Sequence, residues 1–466
     1  MLTKMKTLQI AVISAMLMGS ASCDKILDQE PQGSLDATTA FSTRQGVEAG
    51  LRGIYDALQS GSYYGLRYQA FADMGADNIN HTGTFPSFAQ IFNKQILADN
   101  VELSNMWNAI YNAINRANNI IASAELITDP AFNKSSAIGE ARFLRALLYH
   151  DLLRYFGGSP NGYNKSGGVG VPLFTVPTLA PSDAAPKARA TEAEVNQLIM
   201  DDLNFAIENL SGVSIARANV NAANALKARV ELYNENFAAA EEAATAVIEK
   251  YEAAPLGGLA DDYRSLWSKK NVTPESILEL PFYVDDANSI AFFYFPGANG
   301  GRNEITSSPG LAAAHEANDK RKMVNVSVLD NTSDPRIPAN KTLKAFRVAG
   351  DDNVILIRLA EVYLIRAEAR ARKASPDIAG AQSDLNVVRT RAGLPATTAA
   401  TTAALVTAIE NERRVELAHE GHRWFDLRRY NKIASLGITE PFRALWPIPL
   451  REVQTSAGVV EQNDGY

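Results

Sequence analysis

Ile357-Arg358-Leu359-Ala360-Glu361-Val362-Tyr363-Leu364-Ile365-Arg366-Ala367-Glu368-Ala369 decides the fold class. Leu359, Tyr363, Leu364 and Ala367 recur at three- and four-residue spacing, which is the apolar face of a helix. Ala381, Leu385 and Val388 repeat the pattern shortly afterwards, so residues 354–371 and 378–392 are expected to form a helical hairpin. A second hairpin of the same make is expected upstream, at 221–233 and 237–251, through Ala225, Ala228, Leu232, Ala240, Ala244 and Val247. Small Ala at the crossing points with Leu and Tyr between them is the packing chemistry of tetratricopeptide-type repeats. The two hairpins are not in tandem at a fixed period, so the pattern predicts a distributed helical scaffold rather than a clean solenoid.

Further helices are expected at 44–58, 102–125 and 137–156, the last ended by Gly157-Gly158-Ser159-Pro160. Another is expected at 192–210, where Thr191 and Glu194 have the spacing of a capping box. Gly167-Gly168-Val169-Gly170-Val171-Pro172 lacks the setting of a dinucleotide fingerprint and reads as a loop. Residues 60–100 read as irregular and aromatic. Residues 256–345 carry Gly, Pro, Asn and short apolar runs, and read as a loop-rich insertion with a few short strands. The expected fold is therefore mainly α, a tetratricopeptide-like helical hairpin scaffold. A single domain spans 41–466, with its helical frame at 41–255 and 346–466 and its insertion at 256–345.

Ahead of that domain, Lys4 and Lys6 precede an uncharged apolar run from Thr7 to Ser22, closing on Gly19-Ser20-Ala21-Ser22. The run is too short and wrongly flanked for a spanning helix and reads as an export signal over 1–22. Cys23, the single cysteine of the 466 residues, follows it directly and reads as a lipidation site. Several acyl chains on one residue hold a protein firmly to a membrane. Residues 23–40 then form a polar lipidated tether. With no disulfide available, the exported chain must stabilise itself by packing, and 46% hydrophobic residues can supply the core.

Net charge is −7, and −9 once Lys4 and Lys6 leave with the signal. An acidic chain with no basic block argues against nucleic-acid binding. Catalytic signatures are sparse. His419-Glu420-Gly421-His422 brings its second His one residue too early for a zinc helix, and no nucleophile elbow or Walker-type phosphate loop occurs. No metal or cofactor is expected, and no catalytic residue is nominated. Acidic pairs such as Asp285-Asp286 and Asp351-Asp352 leave a surface glycosidase as a weak alternative.

What remains is aromatic clustering in irregular segments: Tyr63, Tyr64, Tyr68 and Phe71, then Phe85, Phe88 and Phe92, and later Phe282, Tyr283 and the run Phe292 to Phe295. Most of these belong to a core. Their amide and cationic neighbours nevertheless suit an uncharged polar ligand such as a sugar. The expected ligand surface joins residues 78–92 to 288–303. Phe85, Phe88, Phe293 and Tyr294 are its stacking candidates, and Asn78, His81, Asn299 and Arg302 its hydrogen-bonding candidates. Were 292–295 a strand with Phe293 inward, Tyr294 would face outward.

At the C-terminal half the motifs become specific. The opening stretch, Leu385-Asn386-Val387-Val388-Arg389, Ile409-Glu410-Asn411-Glu412-Arg413-Arg414-Val415-Glu416-Leu417, Glu420-Gly421-His422-Arg423-Trp424-Phe425-Asp426-Leu427-Arg428-Arg429 and Trp446-Pro447-Ile448-Pro449-Leu450 resemble the SusD/RagB family. Gly139-Glu140-Ala141-Arg142-Phe143-Leu144-Arg145-Ala146 and Asp201-Asp202-Leu203 extend the resemblance upstream. It implies a non-catalytic lipoprotein at the surface of an outer membrane. Such a protein captures a nutrient, usually a glycan and sometimes a peptide, and hands it to a TonB-dependent transporter of the SusC type. The charged residues at 409–429 are expected to form a satisfied ion-pair network at helix ends rather than a binding site. A structural or adhesion lipoprotein that binds protein partners stays open as the alternative.

Overall fold

The computed structural model describes residues 37–253, 257–268, 274–295, 300–327, 341–345, 347 and 349–466. Its principal helices are α1 (Arg44–Gln59), α2 (Arg67–Met74), α3 (Pro86–Phe92), α4 (Val101–Leu126), α5 (Lys134–Phe156), α6 (Glu192–Asn209), α7 (Val220–Tyr233), α8 (Phe237–Glu252), α9 (Ile290–Tyr294), α10 (Leu359–Arg372), α11 (Ile378–Arg391), α12 (Thr402–Glu416) and α13 (Arg423–Arg429). The six short strands among the described residues are β1 (Ile79–His81), β2 (Val169–Pro172), β3 (Arg189–Thr191), β4 (Ser276–Leu280), β5 (Ile305–Ser307) and β6 (Val354–Arg358). They pair antiparallel as β1–β5, β2–β3 and β4–β6. Cys23 lies outside the described residues. So does the tether, except for one helical turn at Ala37–Ala40.

Both expected hairpins are present, and each helix start has a local cause. Asn219 caps α7 by accepting from Ala222 N, and Asp377 caps α11 by accepting from Gly380 N. Thr191 and Glu194 form the expected capping box on α6. Residues 60–100, read as irregular, instead carry α2 and α3, and two further expectations are corrected. Residues 354–358 are not helical: they form β6, whose partner β4 sits in the insertion. Residues 169–172, read as loop, are β2. In both places, pairing with a strand remote in sequence overrides the local pattern.

The hairpins are separated in sequence but adjacent in space. Helix α8 packs on α10, so the α7–α8 and α10–α11 units are consecutive layers of one array that continues through α1, α4, α5 and α6. Their apolar faces merge into one hydrophobic core, with Ala225, Ala228, Ala244 and Ala367 fully buried.

The 409–429 motif folds inward. Arg358, at the N-cap of α10, donates to Glu275 (2.7 Å), Glu416 (2.5 Å) and Glu420 (2.7 Å). Glu416 ends α12, Arg391 ends α11, and both join the cluster with Arg321. Nearby, Arg413 pairs with Asp426, and Arg429 with Glu368. Burial by itself would raise the Glu416 carboxyl, but Arg391, Arg358 and Arg321 hold it well below the usual carboxylate range. His419 and His422 do not share a helix face. They lie in the turn between α12 and α13, where His419 has φ +65°. Between them Gly421, at φ +79°, passes so close to Gln69 that a Cβ would meet its backbone at 2.7 Å.

Candidate functional site: an aromatic patch at the β1–β5 ladder

The ladder decides where the aromatic residues go. Register pairs Ile79 with Ser307 and His81 with Ile305, which lays residues 78–92 against the chain that follows α9. That chain folds back onto α9: Arg302 N donates to Phe292 O (2.7 Å) and Glu304 N to Phe293 O (3.0 Å). At Gly83 the backbone passes so close to Glu304 that a Cβ would meet its carboxyl group at 2.6 Å. The two expected segments therefore do meet.

Phe88 and Phe293 stack at 5.4 Å between centroids, with Phe85 at 5.6 Å from Phe88 and Phe292 edge-on to Phe293 at 5.4 Å. Phe88 (1% exposed) and Phe293 (8%) form the base, while Phe85 (37%) and Phe292 (48%) stand out into solvent. Phe71 meets Phe88 edge-on at 5.0 Å and ties the base to the core. Arg302, exposed, holds its guanidinium 4.7 Å over the Phe85 ring and donates from Nε to Glu304 at 2.6 Å. The His81 ring lies 5.7 Å from that of Phe88, and burial lowers its pKa, with Glu304 opposing. The patch thus joins apolar faces to an aimed guanidinium and an imidazole, a surface suited to stacking a ring and bonding its hydroxyls.

Four candidates are corrected by the fold, and one lies outside it: Phe88 and Phe293 are buried and stack on each other rather than facing a ligand, and Tyr294 and Asn78 turn inward. Residues 290–294 are a helix, not a strand, so successive side chains turn by about 100° rather than alternating. Phe292 consequently faces outward, while Phe293 and Tyr294 both turn in. Tyr294 (2% exposed) lies beside His419 and lines a pocket of about 50 Å³ with Gln69, Trp267 and His422. Asn78 is buried too: it donates to Asp73 (2.7 Å) and accepts from Arg414 (3.1 Å), pinning the start of β1. Asn299 lies outside the described residues. Phe292 is the residue that the strand reading passed over; helical spacing applied to 290–294 would have found it.

Among the described residues there is no group of three or more His, Cys, Asp or Glu arranged to hold a metal ion. No helix among them is long and apolar enough to cross a membrane.

Comparisons with known proteins converge on one family. A family model described as "SusD family" matches residues 347–444, and one described as "Starch-binding associating with outer membrane" matches residues 25–232. Both stretches of the chain are thus similar to SusD-type families. A SusD-like protein of Formosa agariphila is 27% identical over 99% of this chain and 100% of its own length. A SusD superfamily protein of Bacteroides thetaiotaomicron superposes with a TM-score of 0.74 at 25% identity, covering 90% of this chain and 99% of that one. A laminarin-binding SusD-like protein superposes with a TM-score of 0.74 at 26% identity, covering 91% and 99%. The mainly helical architecture of this chain is shared with those structures.

Proposed function

We propose that this protein captures a glycan at the outer membrane on the patch of Phe85, Phe292 and Arg302, and passes it to a TonB-dependent transporter of the SusC type. The observation that carries the reading is the exposure of two phenylalanines on a rigid aromatic base beside a guanidinium. Fold relatives that include a laminarin binder support the ligand class. A family model named for association with the outer membrane supports the location. In this reading Cys23 carries the lipid that holds the protein there, and the protein performs no chemistry on its ligand.

Isothermal titration against laminarin, amylose, xylan, mannan and galactan hexasaccharides tests the binding. A hit that loses affinity about 5- to 150-fold in Phe85→Ala/Phe292→Ala, at unchanged melting temperature, is expected from the loss of about 1–3 kcal/mol of aromatic contact. Full affinity in that variant would place the ligand elsewhere. Mild-detergent pull-down from outer membranes should recover a large β-barrel with the protein; recovery of other surface proteins in its place would favour the adhesion reading. Metabolic labelling with an alkyne fatty acid should mark the wild type and not Cys23→Ala.

A further inference from the structure

A second groove lies on another part of the molecule and shares no residue with the patch. It has a volume of about 380 Å³, within the usual range for a small-molecule site. It is lined by Trp107, Asn108, Tyr111 and Asn112 of α4, by the loop from Pro172 to Lys187, and by Glu452. The aromatic part is continuous: Trp107 meets Tyr111 at 4.9 Å, and Tyr111 meets Phe174 edge-on at 5.9 Å.

The loop wall is tightly held. Tyr111 donates to Pro172 O (2.9 Å), and Asn118 donates to Phe174 O (2.8 Å). Asn115 accepts from Thr178 N (2.8 Å), and Tyr149 accepts from Phe174 N (2.7 Å). A site whose walls are fixed in advance loses little entropy on binding. The polar groups facing the groove behave differently from their neighbours. Asn115, Asn118 and Asn119 all spend their side-chain amides on backbone groups. The Asn108 and Asn112 side chains, one turn apart, make no hydrogen bond among the described residues, and neither does the Glu452 carboxylate. Two amides offer paired donors and acceptors, and a carboxylate accepts from adjacent hydroxyls. Beside an aromatic wall, that set matches a neutral sugar ring.

We propose that this groove is a second glycan-binding site, sized for a short saccharide and reached independently of the Phe85–Phe292 patch. The proposal rests on the glycan-binding reading above and adds a second point of attachment. Two sites engaging one polysaccharide raise its retention without any new contact at the first.

Hydrogen exchange on the full protein with each of the five hexasaccharides tests it. At least one sugar should protect residues 105–115 and 172–187. That protection should persist in Phe85→Ala/Phe292→Ala and need about tenfold more sugar in Asn108→Ala/Asn112→Ala, in which two hydrogen-bonding groups are lost. Alanine favours the helix more than asparagine does, so the double variant keeps its fold; Glu452→Ala, on a separate element, should show the same loss. Protection confined to 78–92 and 288–303 and unaffected by the Asn variants would overturn the groove and leave the patch standing. Protection at the groove alone would keep this inference and overturn the patch. No protection by any sugar would overturn both.

Discussion

Two regions invert the usual rule of polar outside and apolar inside. The cluster around Arg358 puts guanidinium and carboxylate groups at the centre of the fold, whereas the β1–β5 ladder puts phenylalanines on the surface. The contrast separates conspicuous residues from available ones. In the charged cluster every partner is already inside the protein, which joins the ends of α10, α11 and α12 in one arrangement. The aromatic patch has its base satisfied by stacking, with Phe292 exposed and Phe85 partly covered by Arg302. Buried charge pairs are poor candidates for binding and sensitive points for stability; exposed aromatics are the reverse.

The largest effect should come from breaking the charged cluster. Arg358→Ala leaves Glu275, Glu416 and Glu420 buried without that guanidinium, and should cost about 3–5 kcal/mol in urea unfolding, a large share of the stability of an ordinary domain. Loss of less than about 1 kcal/mol would mean that water relieves the carboxylates. Next is Tyr294→Ala. The phenol is buried against His419 and should cost about 3 kcal/mol on removal, whereas Phe292→Ala, two residues earlier, should stay within about 0.5 kcal/mol. Equal losses in the two variants would erase the distinction between base and outer face.

A smaller, pH-dependent effect belongs to His419. Burial, with Lys344 adding to it, lowers its pKa to about 3 from 6.5. The unfolded chain therefore takes up the proton first, and the stability that neutral His419 contributes is present above pH 6.5 and falls as pH drops towards 3. Asp73 acts with the opposite sign. Burial raises it to about 7, so its contribution is full below pH 3.8 and declines as pH rises towards 7. His419→Gln should flatten the fall in melting temperature between pH 6.5 and 5 relative to the wild type, measured by differential scanning fluorimetry. An unchanged slope would show that His419 does not carry it. The smallest stability effect is expected at the patch itself, where Phe85→Ala/Phe292→Ala should leave urea unfolding within about 1 kcal/mol while glycan titration changes.

The sequence by itself determined the long helices and their role, but not the short helices α2, α3 and α9. Spacing of Leu, Tyr and small Ala residues fixed both hairpins to within a few residues, since each is a local pattern with its own caps. The charged motif at 409–429 was also legible as an internal network, because so many alternating Arg and Glu residues at helix ends need partners. Tertiary structure alone decided which helical layers touch: α8 meets α10 across more than a hundred residues of chain. It also decided that 354–358 becomes a strand, since its partner β4 lies in the insertion. At the candidate site, the sequence brought the right two segments together by composition, and Phe85, Phe88 and Phe293 do share one cluster. Which ring faces out was not legible. A five-residue apolar run has no period long enough to separate helix from strand, and only the fold back of residues 302–304 onto α9 turned Phe292 to solvent and Tyr294 to the core.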